Sequence, residues 1–189
     1  MTVKIREYRK GTDLEAVYRI WREVGWYDDL QPEQLALFDE FLAAGRTSVA
    51  AVDGTAECLV ASQEGDLRYL DGAVSFAGVT GVTTSRVARK QGLAGRLVAR
   101  TVAVNAAAGV QTMGLWFFEQ GYYDRFGFGT GDYDHWLAFD PAQLDVGVRH
   151  RMPERLGASD WAAVHASRLG RLRDHGSVSL TAPLNTRLQ

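Results

Sequence analysis

The 189-residue chain carries 21 Lys and Arg against 23 Asp and Glu, a formal net charge of −2, and this balance disfavours a protein that binds nucleic acid through a basic surface. Its hydrophobic fraction of 46% predicts a packed core, and its single cysteine, Cys58, excludes an intramolecular disulfide framework and a cysteine-cluster metal site. The charged N-terminal segment differs from a signal peptide and no apolar run reaches the roughly 20 residues of a membrane span, so we expect a soluble cytoplasmic protein with no membrane or nucleic-acid partner.

The first half of the chain predicts a strand, two helices and a β-hairpin. Thr12 and Glu15 have the spacing of a capping box, which opens a helix. Pro32 is typical of a first helical position, and Asp53 and Gly54 form a two-residue hairpin signal. The predicted elements are a strand over 3–8, helices over 13–24 and 32–44, and strands over 47–52, 55–62 and 73–84.

The second half predicts a β-α-β unit followed by a returning strand. An amphipathic helix begins near Leu93, and the apolar and aromatic run over 111–118 indicates a buried central strand. A turn and short helix over 120–126 and a returning strand over 133–140 follow. This order of elements predicts a mixed α+β fold with a central mixed β-sheet flanked by helices.

The composition changes after residue 145. We predict one domain over residues 1–145 and a C-terminal extension over 146–189. In the extension, Ser159 and Asp160 are placed to cap a helix that carries Trp161, Val164 and Leu172. One helix of this kind buries too little surface to fold alone.

Cations and small residues meet where the 73–84 strand gives way to the helix, in the segment RKQGLAG. A helix N-terminus has unpaired N–H groups and a partial positive charge. Gly92, Ala94 and Gly95 would let a phosphate approach these groups, and Arg89 and Lys90 add full charges. The segment matches neither the nucleoside-triphosphate loop nor the dinucleotide fingerprint. A diphosphate site and a solvated basic turn both stay open on spacing alone.

Two short motifs resemble those of the GNAT acyltransferases. The run RKQGLA over 89–94 resembles the [RQ]-x-x-G-x-[GA] signature that holds the diphosphate of acetyl-CoA in that superfamily. The run YDRFGF over 123–128 resembles the Y-x-x-x-G-F segment that follows the fifth strand. Two matches in the expected order are more specific than either alone. The resemblance implies the GNAT fold, with a splayed strand pair at the acetyl-CoA site.

A longer run resembles one branch of that superfamily. Residues 119–129 are similar to the E-x-G-x-Y-G-R-F-G-Y-G run of the Eis (enhanced intracellular survival) N-acetyltransferases. Residues 79–82 and 89–92 also align with that family, and the likeness covers roughly 13–140. Because family members have two GNAT-like domains and a C-terminal domain, the extension is expected to begin a second domain. The resemblance also leaves a homo-oligomer open.

The resemblance implies a role for each matched position, with acetyl-CoA as cosubstrate and no metal. Tyr123 would protonate the leaving thiolate of CoA, although a core or turn tyrosine is the alternative. The residues expected to bind the cofactor are Val82, Thr83 and Thr84 along the pantetheine arm, Arg89, Lys90, Gln91, Gly92, Leu93, Ala94 and Gly95 at the diphosphate, and Phe118 and Glu119 near the acetyl group.

The expected reaction is direct attack of a primary amine on the thioester in a ternary complex. The acceptor is an aminoglycoside-like polyamine or a lysine side chain, and Trp26 and Asp28 are expected to line its pocket. A solvated loop is the alternative for these two residues. Cys58 could indicate an acyl-enzyme intermediate instead, but a packing cysteine is favoured because no histidine is placed to activate it.

The general base is not fixed by the sequence. In the Eis family a C-terminal carboxylate in the third domain serves, and Gln189 has no counterpart to it. Glu119, Asp28 or a chain of waters could substitute, and His135 is expected to be a structural or surface residue. A CoA-binding regulatory module that lacks its base is therefore the rival to an N-acetyltransferase.

Overall fold

The structure, a computed structural model, describes residues 2–131, 137–145, 147, 152–171 and 176–188. The elements in these ranges are β1 (Val3–Glu7), α1 (Leu14–Glu23), α2 (Pro32–Ala44), β2 (Arg46–Val52), β3 (Thr55–Tyr69), β4 (Gly72–Thr84), α3 (Leu93–Ala107), β5 (Thr112–Leu115), α4 (Trp161–Gly170), β6 (Ser177–Leu180) and α5 (Leu184–Arg187). Short 3₁₀ turns occur at Arg86–Ala88, Asp124–Phe126, Pro141–Gln143 and Ala158–Asp160.

One mixed sheet joins the described strands. Its order is β1-β2-β3-β4-β5, and β6 pairs with β3 beyond the end of β2. The β4–β5 pair is parallel, and the other pairs are antiparallel. The parallel pair needs a crossover, which α3 provides. The predicted mixed α+β sheet flanked by helices is therefore confirmed.

The core occupies both faces of this sheet because successive strand residues point to opposite sides. On one face, Cys58 and Val60 pack with Leu97 and Val98 of α3. On the other face, their neighbours Leu59 and Ala61 pack with α1 and α2 through the buried side chains of Val17, Trp21 and Leu42. Both helical layers therefore fix the middle of β3 and, with it, the paired strand β4.

The predicted capping box at the start of α1 does not form. The helix is capped at Asp13 without a side-chain capping bond. Arg6 donates two hydrogen bonds to the Asp13 carboxylate, one of 2.7 Å, and the Arg9 amide donates a third at 2.8 Å. Burial opposes the charge on Asp13, but these bonds outweigh it and hold the pKa of Asp13 below its ordinary value. A tertiary ion pair has thus displaced local capping.

Two strands differ in length from prediction. The strand predicted over 55–62 continues to Tyr69, because the polar residues after Ser62 pair with β4 on one side and β6 on the other. The strand predicted over 111–118 ends at Leu115, and Trp116 and Phe118 beyond it are 80% and 90% exposed. The prediction of a buried central strand through Phe118 was wrong, since an apolar run alone does not show what will cover it.

The C-terminal elements lie against the same sheet. β6 adds to β3, α5 contacts α2, and Arg68 of β3 donates a hydrogen bond to the Leu169 carbonyl. The predicted helix forms as α4, over Trp161–Gly170, and Leu172 lies outside the described residues. Of the predicted returning strand, 132–136 also lies outside the described residues, His135 included, and 137–140 has no strand structure.

No helix in the described ranges has the length and apolar character that a membrane span requires.

Candidate functional site

A glycine bulge in β4 opens the sheet beside β5. Thr83 pairs with Leu59 of β3 and Thr80 pairs with Ala61, so β4 carries one residue more than β3 over this stretch. Gly81 sits in the bulge with a φ of +67°, a left-handed conformation that side chains rarely adopt. The pairing of β4 with β5 stops at Val79 and Leu115, just before the bulge. The two strands are splayed from that point, as the predicted fold requires.

A cleft of about 480 Å³ fills the gap between the separated strands, and we call it the strand-split cleft. Trp26 forms part of its rim, where its ring lies 6.4 Å from that of Phe118. The residues that line it are Gly25, Trp26, Tyr27, Val79, Thr80, Gly81, Val82, Leu115, Trp116, Phe118 and Tyr123. Aromatic walls and strand backbone groups therefore dominate this cleft, which suits an extended ligand with a compact reactive end.

Tyr123 lines the strand-split cleft and carries a phenol that can donate a proton. Its ring packs edge-on against Tyr122 at 4.9 Å and against Phe128 at 6.1 Å. Burial raises the pKa of Tyr123 above its ordinary value, and Tyr122 and Glu119 add to the rise. The phenol therefore stays protonated at neutral pH and can donate a proton or hydrogen bond.

A sharp turn joins β4 to α3. Lys90 has a φ of +62° and Gly92 has a φ of +72°, so the chain passes through the left-handed region twice within three residues. Gly92 is the N-cap of α3 and has no capping side chain. The first N–H groups of the 15-residue helix therefore donate no hydrogen bond to an N-cap side chain, and they point away from the helix at its N-terminus.

A second cleft, of about 260 Å³, lies over this turn, and we call it the basic cleft. Its lining residues are Thr84, Ala88, Arg89, Lys90, Gly92, Leu93, Ala94, Gly95, Tyr122 and Arg125. The helix N-terminus and three cationic side chains give the cleft a positive field, which favours an anion.

The two clefts are joined by two pairs of near neighbours in sequence. Val82 lines the strand-split cleft and Thr84 lines the basic cleft, two residues further along β4. In the same way, Tyr123 lines the strand-split cleft and its neighbour Tyr122 lines the basic cleft. An extended molecule lying along the end of β4 could therefore reach both clefts at once.

The structure brings together most of the site residues predicted from the sequence. The strand-split cleft receives Trp26, Val82, Phe118 and Tyr123, and the basic cleft receives Thr84, Arg89, Lys90, Gly92, Leu93, Ala94 and Gly95.

Four predicted residues line neither cleft. The Thr83 side chain is buried and donates a hydrogen bond to the Gly81 carbonyl, and Gln91 is exposed on the turn. Asp28 is exposed, and its backbone carbonyl accepts a hydrogen bond from Tyr18. Glu119 borders a neighbouring cavity that Tyr123 also borders.

Several residues that line the clefts were not predicted from the sequence, among them Tyr27, Tyr122 and Arg125. Tyr27 packs against Trp21 and Phe38 of the α1–α2 layer while facing the strand-split cleft. Tyr122 and Arg125 face the basic cleft across from the turn. The signal for Arg125 was present, since it lies inside the YDRFGF motif, but its side-chain direction depends on how the loop packs on α3.

Cys58 is fully buried in β3, and its Sγ lies 3.1 Å from the Thr84 hydroxyl. Burial raises the pKa of Cys58 to about 11, so its thiolate is scarce at neutral pH and the acyl-enzyme alternative loses support. Within the described ranges, no group of three His, Cys, Asp or Glu residues could hold a metal ion.

Comparison with solved structures shows the fold. Over 99% of this chain, the structure resembles Eis1 from Mycobacterium abscessus with a TM-score of 0.67 and 22% identity. A predicted acetyltransferase from Clostridium acetobutylicum with acetyl-CoA matches 76% of the chain and 99% of its own, with a TM-score of 0.56 and 17% identity. A conserved protein of unknown function from Enterococcus faecalis V583 matches 67% of the chain, with a TM-score of 0.60 and 15% identity.

The lengths of these proteins differ from that of the chain. The chain spans 47% of Eis1 and 32% of the Enterococcus protein. No curated protein sequence matches the chain significantly.

The family is shown by a sequence model. The model of the acetyltransferase (GNAT) domain matches residues 4–131, which is more than half of the 189-residue chain. This range includes the splayed strands β4 and β5, the turn that joins β4 to α3, and the YDRFGF segment over 123–128. The chain therefore belongs to the GNAT acetyltransferase family.

Proposed function

We propose that the protein is an Eis-like N-acetyltransferase that transfers the acetyl group of acetyl-CoA to a primary amine by direct attack in a ternary complex. The observation that carries the proposal is that the adjacent residues Tyr122 and Tyr123 line the basic cleft and the strand-split cleft, respectively. Family membership supports acetyl-CoA as the cosubstrate.

The diphosphate of acetyl-CoA would bind in the basic cleft. Arg89 and Lys90 supply charge, and the first amides of α3 supply hydrogen-bond donors. The absence of a side chain at Gly92, where an added Cβ would meet open space, leaves the helix N-terminus open to a bulky anion. Cofactor binding there would direct the pantetheine arm along the end of β4.

The pantetheine arm would pair with the freed edge of β4. Because β4 leaves β5 after Val79, the backbone groups of the following residues lack a β5 partner. An extended amide-bearing chain can add to such an edge as a short strand. The thioester would then lie in the strand-split cleft beside Tyr123.

In the transfer step, the neutral amine nitrogen forms a bond to the thioester carbonyl carbon, and the C–S bond breaks. Tyr123 would give its phenolic proton to the leaving sulfur. The nitrogen that attacked the carbonyl would lose one proton to solvent as the amide forms, and solvent would reprotonate the phenolate. The raised pKa of Tyr123 keeps the proton available until it is needed.

The aromatic rim of the strand-split cleft supports a cationic acceptor. Trp26 and Phe118 line the cleft with exposed rings, and amine cations bind to the faces of aromatic rings. We therefore keep two acceptor classes, an aminoglycoside or polyamine and a lysine side chain. Asp28 would act from outside the cleft by attracting the cation.

A catalytically silent CoA-binding module is the second candidate, and one observation favours it. The described residues that line the strand-split cleft include no carboxylate and no histidine, so none of them is an evident general base. Glu119 borders a neighbouring cavity that Tyr123 also borders, so it would need a water to reach an amine in the strand-split cleft.

We propose further that residues 1–145 form the GNAT domain and that 146–189 begin a second Eis-like domain. The support is the alignment of nearly the whole chain with about half of Eis1. In that case β6 is a strand through which the second domain would extend the sheet of the first.

A thiol-release assay against a panel of amines, with calorimetry of acetyl-CoA binding in parallel, separates the candidates. The enzyme binds acetyl-CoA and releases CoA in an amine-dependent way, with aminoglycosides, polyamines and lysine peptides as separate arms. The silent module binds acetyl-CoA without release for any amine. A protein that does not bind acetyl-CoA contradicts both.

A further inference from the structure

Arg125 is held in a fixed position on the 3₁₀ turn that follows Tyr123. Its guanidinium lies 4.5 Å from the ring centre of Tyr122 and 4.9 Å from that of Phe126. Contacts of this kind reduce the freedom of a long side chain. The guanidinium is therefore preorganised at the wall of the basic cleft that it lines.

The basic cleft has cations on two walls. Arg89 and Lys90 lie on the turn before α3, and Arg125 lies on the loop opposite. None of the three forms an ion pair with a carboxylate in the described ranges of the chain. A planar guanidinium can bind two oxygens of one phosphate, which a lysine cannot do. The arrangement is suited to an anion with several oxygens, bound from both sides.

The loop that carries Arg125 rests directly on the first turn of α3. A Cβ at Gly95 would lie 3.2 Å from the Phe126 ring and 3.7 Å from the Arg125 guanidinium. The glycine therefore allows the loop and the helix N-terminus to approach closely. A ligand bound between the two walls would contact both elements and hold them together.

We propose that Arg125 binds the diphosphate of the cofactor from the loop side and, by doing so, positions the adjacent Tyr123 for proton donation. This inference rests on the proposed function, because it needs acetyl-CoA in the basic cleft. The diphosphate would then control the placement of the Tyr123 phenol, although it lies far from the bond that reacts. Arg125 is thus a cofactor contact and a positioning residue for Tyr123.

The test compares two ligands that differ in the diphosphate. Acetyl-CoA carries it, and S-acetylpantetheine has the same thioester arm without it. Calorimetry gives the dissociation constants for the wild type, Arg125→Gln, Arg125→Lys and the control Arg22→Gln. Arg22 is a matched control because it also lies over a tyrosine ring, that of Tyr18 at 5.9 Å, but lines neither cleft. Hydrogen exchange of the amides over 122–128 reports the loop.

We expect Arg125→Gln to weaken acetyl-CoA binding about 10- to 100-fold, the usual range for a lost charge-assisted hydrogen bond. S-acetylpantetheine binding is expected to be unchanged, and Arg125→Lys to recover part of the loss. Saturating acetyl-CoA should slow exchange over 122–128 in the wild type and in the Arg22 control. In Arg125→Gln, saturating acetyl-CoA should leave this exchange fast.

Three results would overturn the inference. Equal weakening of both ligands in Arg125→Gln would show a merely structural role for the side chain. Unchanged acetyl-CoA affinity would show no diphosphate contact. Loop protection that survives in Arg125→Gln at saturation would show no positioning role. A wild type that fails to bind acetyl-CoA contradicts the proposed function itself. The titration of the wild type distinguishes this outcome from a failure of the inference about Arg125.

Discussion

Replacement of Tyr123 by phenylalanine removes the phenolic proton and little else. No hydrogen bond joins the Tyr123 hydroxyl to another described residue, and its ring contacts with Tyr122 and Phe128 are preserved by a phenylalanine ring. We therefore expect the free energy of unfolding to change by less than about 0.5 kcal/mol. Acetyl-CoA binding should also be unchanged, since the diphosphate site is intact.

The rate of transfer should respond very differently. Loss of a general acid lowers kcat by about 10²- to 10⁴-fold, which corresponds to about 3–5 kcal/mol in the activation barrier. The pH dependence gives a second signature. Because the pKa of Tyr123 is raised above its ordinary value of about 10, the acid form persists through pH 9, and activity should fall only above that raised pKa. The phenylalanine variant should lack this alkaline loss.

The assay is amine-dependent thiol release followed from pH 6 to pH 11, with Tyr69→Phe as the control because Tyr69 is exposed at the tip of the β3–β4 hairpin. The control should match the wild type. A Tyr123→Phe protein that keeps full kcat would refute the reasoning, as would a loss of activity that a parallel loss of acetyl-CoA affinity explains.

Three further predictions concern packing, stability and the acceptor. Gly95→Ala should lower the free energy of unfolding by about 1 kcal/mol in denaturant titrations. The added methyl group would lie 3.2 Å from the Phe126 ring, and this overpacking outweighs the gain in helix propensity. The control Gly129→Ala, with open space around the added methyl group, should be neutral. Asp13→Asn should cost about 3 kcal/mol at pH 7, since it breaks a nearly buried ion pair. Because the pKa of Asp13 is lowered by folding, its contribution to the free energy of unfolding is present above the unfolded value of about 3.9 and is lost as pH falls through the folded pKa. Equal stabilities of wild type and variant at pH 7 would contradict this prediction. Trp26→Ala should raise the KM for a cationic amine about 2- to 30-fold without changing acetyl-CoA affinity, and a change confined to the cofactor would count against an acceptor role.

Local signals in the sequence predicted most of the scaffold. The hairpin at Asp53 and Gly54 forms as expected, with both residues at positive φ, because a two-residue turn is specified by its own chemistry. The extension of β3 to Tyr69 escaped prediction because its polar residues lack a strand pattern of their own. They pair with β4 and β6, and Glu64 forms an ion pair with Arg46 of β2. The capping box failed because the N-cap of α1 is Asp13 and not Thr12, and the Asp13 carboxylate bonds to Arg6 and the Arg9 amide.

Within the site, too, contiguous motifs could be predicted from the sequence, and contacts between separate elements could not. The turn with Lys90 and Gly92 could be located because it is a contiguous motif at a strand–helix junction. The placement of Tyr27, Tyr122 and Arg125 could not, since it follows from how separate layers pack. The bulge at Gly81 was equally hidden, because it depends on the register of β4 against β3.

A crystal structure of the protein with CoA tests the central claim most directly. We predict the diphosphate between Arg89, Lys90 and Arg125 in the basic cleft, the pantetheine arm along the end of β4, and the CoA sulfur within about 3–4 Å of the Tyr123 hydroxyl. A diphosphate bound away from the N-terminus of α3, or a sulfur that lies outside the strand-split cleft and out of reach of Tyr123, would contradict it.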